Sequence, residues 1–205
     1  MSGRVVPGGL LVVIEGIDGS GKSVLSDRLV AHLANQGYIV CSSREPTAGP
    51  WGQQLRASAA QGRLPVAKEV DLLLCDRRHH VDTLITPALR RGAVVVLDRY
   101  FPSMIAYQGA AGLPVAALMT LNAFAPRPDL LLLLDLDPQI SHQRIRARGD
   151  QPNAFEDLIN LKRCRDLFLS LQLAHTVTLD ARQSADDIAA LAIDYVEQRL
   201  EQRAG

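Results

Sequence analysis

The stretch that most constrains this chain is Gly16-Ile17-Asp18-Gly19-Ser20-Gly21-Lys22-Ser23, which follows the apolar run Leu10 to Ile14 and precedes a helical pattern. It fits the G-x-x-x-x-G-K-[ST] phosphate-binding loop at every fixed position. The glycines let the backbone turn tightly and aim successive N–H groups at one point. The helix that follows adds unpaired N–H groups and a positive dipole end, which favour an anion there. Lys22 is expected to reach the outer phosphates and the Ser23 hydroxyl to hold Mg²⁺. The competing reading is a glycine-rich turn that binds nothing; the strand–loop–helix context speaks against it. The motif therefore names a nucleoside triphosphate donor with Mg²⁺ and leaves the acceptor open.

A chain of 205 residues suffices for one α/β domain with a sizeable core, or at most two small domains. Its 22 Lys and Arg balance 22 Asp and Glu, so no global basic field suggests nucleic acid as a partner. The longest apolar runs are strand-sized, so no membrane span is expected, and the N-terminus carries no secretory signal pattern. Cys41, Cys75 and Cys164 match no zinc or redox spacing and read as reduced thiols of a cytoplasmic protein. The pair His79-His80 is expected to be a solvated helix end rather than a metal site.

Continuous apolar runs at Leu10–Ile14, Ala93–Leu97 and Leu130–Leu134 predict parallel strands covered on both faces, with shorter strands at Tyr38–Ser42 and Thr176–Leu179. Between them, helical patterns fall at Lys22–Asn35, Gln53–Gln61, Val66–Arg91, Ser103–Gly109, Val115–Phe124, Asp137–Arg148, Ala154–Ala174 and Ser184–Gln202. Pro87 is placed to begin a new turn or kink its helix, and Asp137-Pro138 is an N-cap followed by Pro at the first helical position. Alternating strands and helices imply an α/β fold with a mainly parallel sheet, whose ligands sit beyond the carboxyl ends of the strands. The chemistry-bearing residues cluster there: the phosphate loop, Arg44-Glu45, Asp98-Arg99, Asp135 and Asp180 each follow a strand.

Asp98 ends an apolar strand, where a carboxylate often holds Mg²⁺ directly or through water. Asp135 is a rival, with helping to start the Asp137-Pro138 helix as its other reading. Arg44, Arg77 and Arg99 fall near the active edge, where arginines clamp phosphates and neutralise growing charge. Three there favour an acceptor that carries its own phosphate. Arg144 and Arg148 share a helix face and Arg146 points away. They read equally as a solvated helix C-terminus or as a mobile lid over the transferring group. Leu73 and Arg77 lie one turn apart, so Leu73 either meets a base face or is plain core.

These residues together resemble the thymidylate kinase family within the P-loop nucleoside monophosphate kinases, along essentially the whole chain. The resemblance rests on Glu15 to Ser23, on Arg44-Glu45-Pro46, and on Asp76-Arg77 with His80-Val81. Its most specific part is Asp98-Arg99-Tyr100 through Ser103 and Ala106-Tyr107-Gln108-Gly109. It implies a single P-loop NTPase domain over 1–205: a three-layer sandwich around a five-stranded sheet, with a lid at about 144–156. It implies ATP-dependent phosphorylation of dTMP to dTDP with Mg²⁺, on small-molecule nucleotides, in a homodimer.

By the same resemblance, Gly16 to Ser23 and Arg144 would bind ATP, and Ser23 and Asp98 the metal. Lys22, Asp18, Arg99 and Arg148 would be catalytic, with Arg148 supplying the lid arginine of the bacterial type because Gly19 leaves the loop without a basic side chain. Arg44 and Arg99 would hold the acceptor phosphate, Asp18 would lie near that phosphate and the sugar, and Arg77 would read the thymine edge. Ser103, Tyr107 and Gln108 would line the nucleoside pocket with Leu73, and Tyr107 would exclude a ribose 2′-hydroxyl. The loop after Asp180 would border adenine.

Three positions depart from the family pattern. Thr47-Ala48-Gly49 stands where Gly-Gly-Thr is usual, Leu73 replaces the phenylalanine that stacks on thymine, and 149–156 lacks the Asp-Arg pair before Phe-Glu. An aromatic pair contributes about 0.5–1.5 kcal/mol beyond its buried area. Two alternatives therefore stand beside dTMP phosphorylation: a kinase for another nucleoside monophosphate, and a nucleotide-binding paralogue with weakened catalysis.

Overall fold

The computed structural model describes residues 3–61, 64–147 and 157–204. Five strands, β1 (Leu10–Glu15), β2 (Val40–Arg44), β3 (Val94–Asp98), β4 (Leu130–Asp135) and β5 (Thr176–Asp180), form one sheet in the order β2-β3-β1-β4-β5. Every pairing is parallel. All six residues of β1 and all five of β3 are buried, as continuous apolar runs require of strands covered on both faces.

The side chains of β1 alternate between two cores. Leu10, Val12 and Ile14 pack with Leu25, Leu29 and Leu33 of α1 (Lys22–Asn35), on a cluster that includes Ala192, Val196 and Leu200 of α9 (Ala185–Ala204). Leu11 and Val13 face Val70 of α3 (Val66–His80), Ala88 of α4 (Thr86–Arg90), Met104 and Ile105 of α5 (Phe101–Ala110) and Leu118 of α6 (Val115–Leu121). The remaining helices are α2 (Pro50–Gln61), α7 (Pro138–Ala147) and α8 (Leu158–Ser170).

Several boundaries move from the predicted ones. The second strand runs from Val40 rather than Tyr38, which makes only an isolated bridge to Arg4. The second helix starts at Pro50, a residue suited to a first turn because its missing N–H would be unpaired there anyway. The long pattern after Val66 is one helical path interrupted by a π turn at Val81–Ile85. Pro87 follows at once; it can give no N–H to the turn before it and its ring crowds that turn, so the path widens upstream instead of breaking. Asp137 caps as predicted, its Oδ1 accepting the Gln139 N–H at 2.7 Å. Downstream of 156 the helix ends at Ser170 rather than Ala174.

With β3 on one side of β1 and β4 on the other, the connections diverge at the end of β1, and a crevice opens there. One wall rests on a close approach: a Cβ on Gly52 of α2 would lie 2.0 Å from the Thr47 carbonyl oxygen. Gly52→Ala is expected to push α2 off this loop, destabilise the chain by about 1–3 kcal/mol, and raise the KM for the phosphoryl acceptor more than that for ATP. Urea unfolding and steady-state kinetics check both.

Candidate functional site

A single cleft of about 930 Å³ runs along the carboxyl edge of the sheet, from the phosphate loop to α3 and α5. Asp18 to Ser23, Arg44, Leu73, Arg77, Asp98, Arg99, Ser103, Tyr107, Gln108 and Arg144 all line it. Gly16 and Ile17 form the base of the loop behind this lining, with Ile17 buried. Arg148 and residues 149–156 of the expected lid lie outside the described residues.

At the loop, Lys22 is buried and its Nζ donates to the Ile17 carbonyl at 2.8 Å, which folds the side chain back over the turn. Burial and the neighbouring Arg99 charge push its ammonium below the usual lysine range, against the pull of Asp18, Asp98 and Glu15. Ser23 opens α1 and donates to Asp98 Oδ2 at 2.6 Å. The other carboxylate oxygen, Asp98 Oδ1, is buried without a protein partner. A hydroxyl beside a half-satisfied carboxylate suits a hard cation that takes oxygen ligands. Gly19 has φ +79°, and a Cβ there would lie 2.9 Å from the Ser141 carbonyl oxygen of α7. This loop has no room for a side chain at that position, basic or otherwise. Ser141 also donates through Oγ to the Asp18 carbonyl, tying the loop to the helix that leads towards residue 148.

Arg99 leaves β3 with φ +72°, a left-handed conformation that costs a non-glycine residue roughly 1–2 kcal/mol. The turn sends its guanidinium back across the cleft to Asp18, with which it pairs, and to Ser103 Oγ, reached from Nη1 at 3.0 Å. Tyr107 donates its hydroxyl to Asp18 Oδ2 at 2.9 Å, and the Arg99 guanidinium lies 5.3 Å from the Tyr107 ring centre. Burial pushes the Asp18 carboxyl up, but Arg99, Lys22 and the Tyr107 hydroxyl outweigh it, so Asp18 stays below the usual range and ionised. Burial, and then the Asp18 charge, drive the Tyr107 phenol well up, so it remains a donor at neutral pH.

On the α3 side, three side chains in one helical stretch hold the 43–47 loop. Asp76 accepts from Thr47 N at 2.7 Å and Thr47 Oγ1 at 2.6 Å. Arg77 donates to Glu45 Oε2 from Nε at 2.9 Å and from Nη2 at 2.6 Å, and to Asn122 Oδ1 at 2.5 Å. The His80 ring lies 3.1 Å from Glu45 Oε1 and 2.9 Å from Ser43 Oγ. The expectation of a solvated His79-His80 pair is corrected: His80 is buried, because its helix faces the loop, and only His79 is exposed, 5.5 Å from the Trp51 ring. Leu73 is half-buried, both lining the cleft and packed on the core. Gln108 is buried with Oε1 unpartnered beside the cleft.

At the opposite end, Arg144 reaches the Ala181 carbonyl at 3.1 Å and Val24, Gln183 and Ile188 complete the wall. Arg146 is exposed, as its place on the other helix face required. Asp135 neither joins the cleft nor starts α7; it takes a two-pronged ion pair from Arg165 of α8, at 2.6 and 2.9 Å. Glu15 and Glu45, known from the sequence only as parts of matched motifs, and Ser141, which no motif singles out, are all buried and all hold the site. The signal for Glu15 was a charge continuing an apolar strand that the sheet covers on both faces.

Among the described residues no group of three or more His, Cys, Asp or Glu is placed to hold a metal, and no helix is long and apolar enough to cross a membrane.

Glu15 is fully buried, and burial pushes its carboxyl up to about 7 in spite of hydrogen bonds from Ser103 and Tyr100 and the charge of Arg99. The folded chain therefore keeps a proton that the unfolded chain releases from about 4.5 upward, so stability contributed at low pH is lost as pH rises through that window. Without nucleotide, the parent is expected to lose stability relative to Glu15→Gln between pH 5 and 7, by at most about 1.4 kcal/mol per pH unit. Urea midpoints at each pH check it; parallel curves would contradict it.

The sequence model of the family described as "Thymidylate kinase" matches residues 14–191. A "Thymidylate kinase" of Xanthomonas campestris pv. campestris (strain B100) is 58% identical over 203 residues, 99% of this chain and 89% of that protein. One from Xylella fastidiosa (strain M12) is 55% identical over 205 residues, 100% of this chain and 94% of that protein. One from Xanthomonas oryzae pv. oryzae (strain PXO99A) is 56% identical over 203 residues, 99% and 89%. A phosphate loop, a carboxylate–hydroxyl pair and a set of arginines line one cleft, in a sequence matched nearly end to end, and the chain belongs to the thymidylate kinase family.

Proposed function

We propose that this chain transfers the γ-phosphoryl group of ATP to the 5′-phosphate of dTMP, giving dTDP and ADP. The observation that carries the reading is one continuous cleft with a phosphate loop at one end and Arg99, Arg44 and Tyr107 around the other, in a chain of this family. Catalysis is positioning and charge neutralisation with in-line transfer and no covalent enzyme intermediate.

The loop backbone, Lys22 and Arg144 hold the ATP phosphates, with Gly16 to Ser23 wrapping them. Ser23 and Asp98 would hold Mg²⁺; the free Asp98 Oδ1 supports that fit. When bound, the ion supplies positive charge to the donor phosphates. Arg99 and Arg44 take the acceptor phosphate, and Asp18 holds Arg99 and the Tyr107 hydroxyl on the sugar side. Leu73, Ser103, Tyr107, Gln108 and Arg77 surround the nucleoside, with Tyr107 set against a 2′-hydroxyl. The catalytic arginine assigned to Arg148 belongs to the segment outside the described residues. The resemblance further supports a homodimer, and the spacing of Cys41, Cys75 and Cys164 supports reduced thiols in the cytoplasm.

Leu73 favours one second reading. A leucine presents a base with apolar area but no ring face, so the pocket demands thymine less strictly and another nucleoside monophosphate is the competing acceptor.

Lys22→Ala and Arg99→Ala are each expected to lower kcat by about 10²–10³-fold with the fold intact. Near-parent turnover in purified Arg99→Ala contradicts the role given to Arg99. In a coupled assay over dTMP, dUMP, dCMP, dGMP and dAMP, dTMP is expected to show the highest kcat/KM. A different first-ranked acceptor establishes the second reading.

A further inference from the structure

Glu15 closes β1, and its carboxylate does two jobs on another element. Oε1 accepts the Tyr100 N–H at 2.8 Å and the Ser103 N–H at 3.0 Å. These are the N-cap and third-residue amides of α5, a helix that has no side-chain cap of its own and no acidic residue in its first turn. In the ionised form, which prevails above about pH 7, Oε2 accepts the Ser103 hydroxyl proton at 2.6 Å. Because that proton is committed to Glu15, a Ser103 Oγ lone pair is left facing Arg99 Nη1 at 3.0 Å.

Arg99 lies between these anchors. Its own N–H donates to the Ile14 carbonyl at 3.0 Å, so Ile14 and Glu15 grip residues 99 and 100 in succession. The left-handed φ of Arg99 survives only if its surroundings over-determine it, and these bonds do so. β1 also opens the phosphate loop, so the same strand end positions the donor and acceptor halves of the cleft.

We propose that Glu15 is a positioning residue for Arg99: through the first turn of α5 and the Ser103 hydroxyl, it holds the guanidinium where the acceptor phosphate is bound. The consequence for catalysis rests on the role given to Arg99 above; the positioning itself does not.

The test is a cycle of Glu15→Gln and Arg99→Lys, run at about pH 8.5, where Glu15 is ionised. Glutamine keeps an acceptor for the two amides but turns a donor towards Ser103. Glu15→Gln is expected to unfold cooperatively near the parent Tm, to lower kcat on dTMP by about 10- to 100-fold, and to change the KM for ATP less than about 3-fold. In the Arg99→Lys background the same change should cost less than about 3-fold, because residues acting as a unit are not additive. An equal loss in both backgrounds, or parent kcat in Glu15→Gln, overturns the proposal. If Glu15→Gln does not fold, Ser103→Ala takes its place, since it removes the hydroxyl and leaves both amide bonds; it should show the same non-additivity, and additivity overturns the proposal. If the parent itself does not phosphorylate dTMP, the proposed function fails, and exchange of the Arg99 guanidinium N–H, read by NMR, decides the positioning. It should be at least about 10-fold faster in Glu15→Gln than in the parent; equal rates overturn it.

Discussion

The burial of β1 on both faces, between β3 and β4, is the constraint on which the rest depends. A strand so covered has no solvated side to carry polar groups, so its chemistry is displaced to its end. There the chain turns out through glycines, its amides no longer spent on the sheet, and α1 begins with more of them. The cleft follows from the same arrangement, since β3 beside β1 and β2 beside β3 also end there and bring Arg44, Asp98 and Arg99 to one edge.

Gathering so many charges in a half-buried place is costly unless they are paired. The chain alternates them. Lys22 and Arg99 lie among Asp18, Glu15 and Asp98, and the direction of each shift shows which neighbour dominates: the arginine keeps Asp18 ionised, while full burial leaves Glu15 raised despite its donors. Glu45 plays the same part on the 43–47 side, buried between Arg77 and His80, with Oε2 accepting two Arg77 N–H groups and Oε1 3.1 Å from the His80 ring. A buried ion pair is weak support for stability but strong support for geometry, because removing either member strands the other. Here the geometry is the position of the 43–47 loop against α3.

The departures from the family pattern acquire a physical reading in this frame. Thr47 is not a gap in the Arg-Glu-Pro loop; its backbone and hydroxyl both bond to Asp76, and Gly52 lets α2 press against its carbonyl. Gly19 is small because α7 packs on it, so the cations that line the cleft beside this loop are Lys22, Arg99 and Arg144.

The sequence by itself determined the periodic and local features. Apolar runs, glycine spacing and the Asp137-Pro138 start required only neighbours along the chain, and they placed β1, β3, β4 and β5, the phosphate loop and the cleft residues Arg44, Asp98 and Arg99, but not the partner of Asp135. The short second strand and the π turn were less legible, since edge pairing and helix widening are settled by packing rather than by pattern. Only the tertiary structure decided the partnerships: Glu15 with the first turn of α5, Glu45 with Arg77 and His80, Asp135 with Arg165, Ser141 with the phosphate loop. Each joins residues about 30 or more positions apart. A buried charge announces in the sequence that it needs a partner, but which one it finds depends on which strand ends and helix faces the fold brings together.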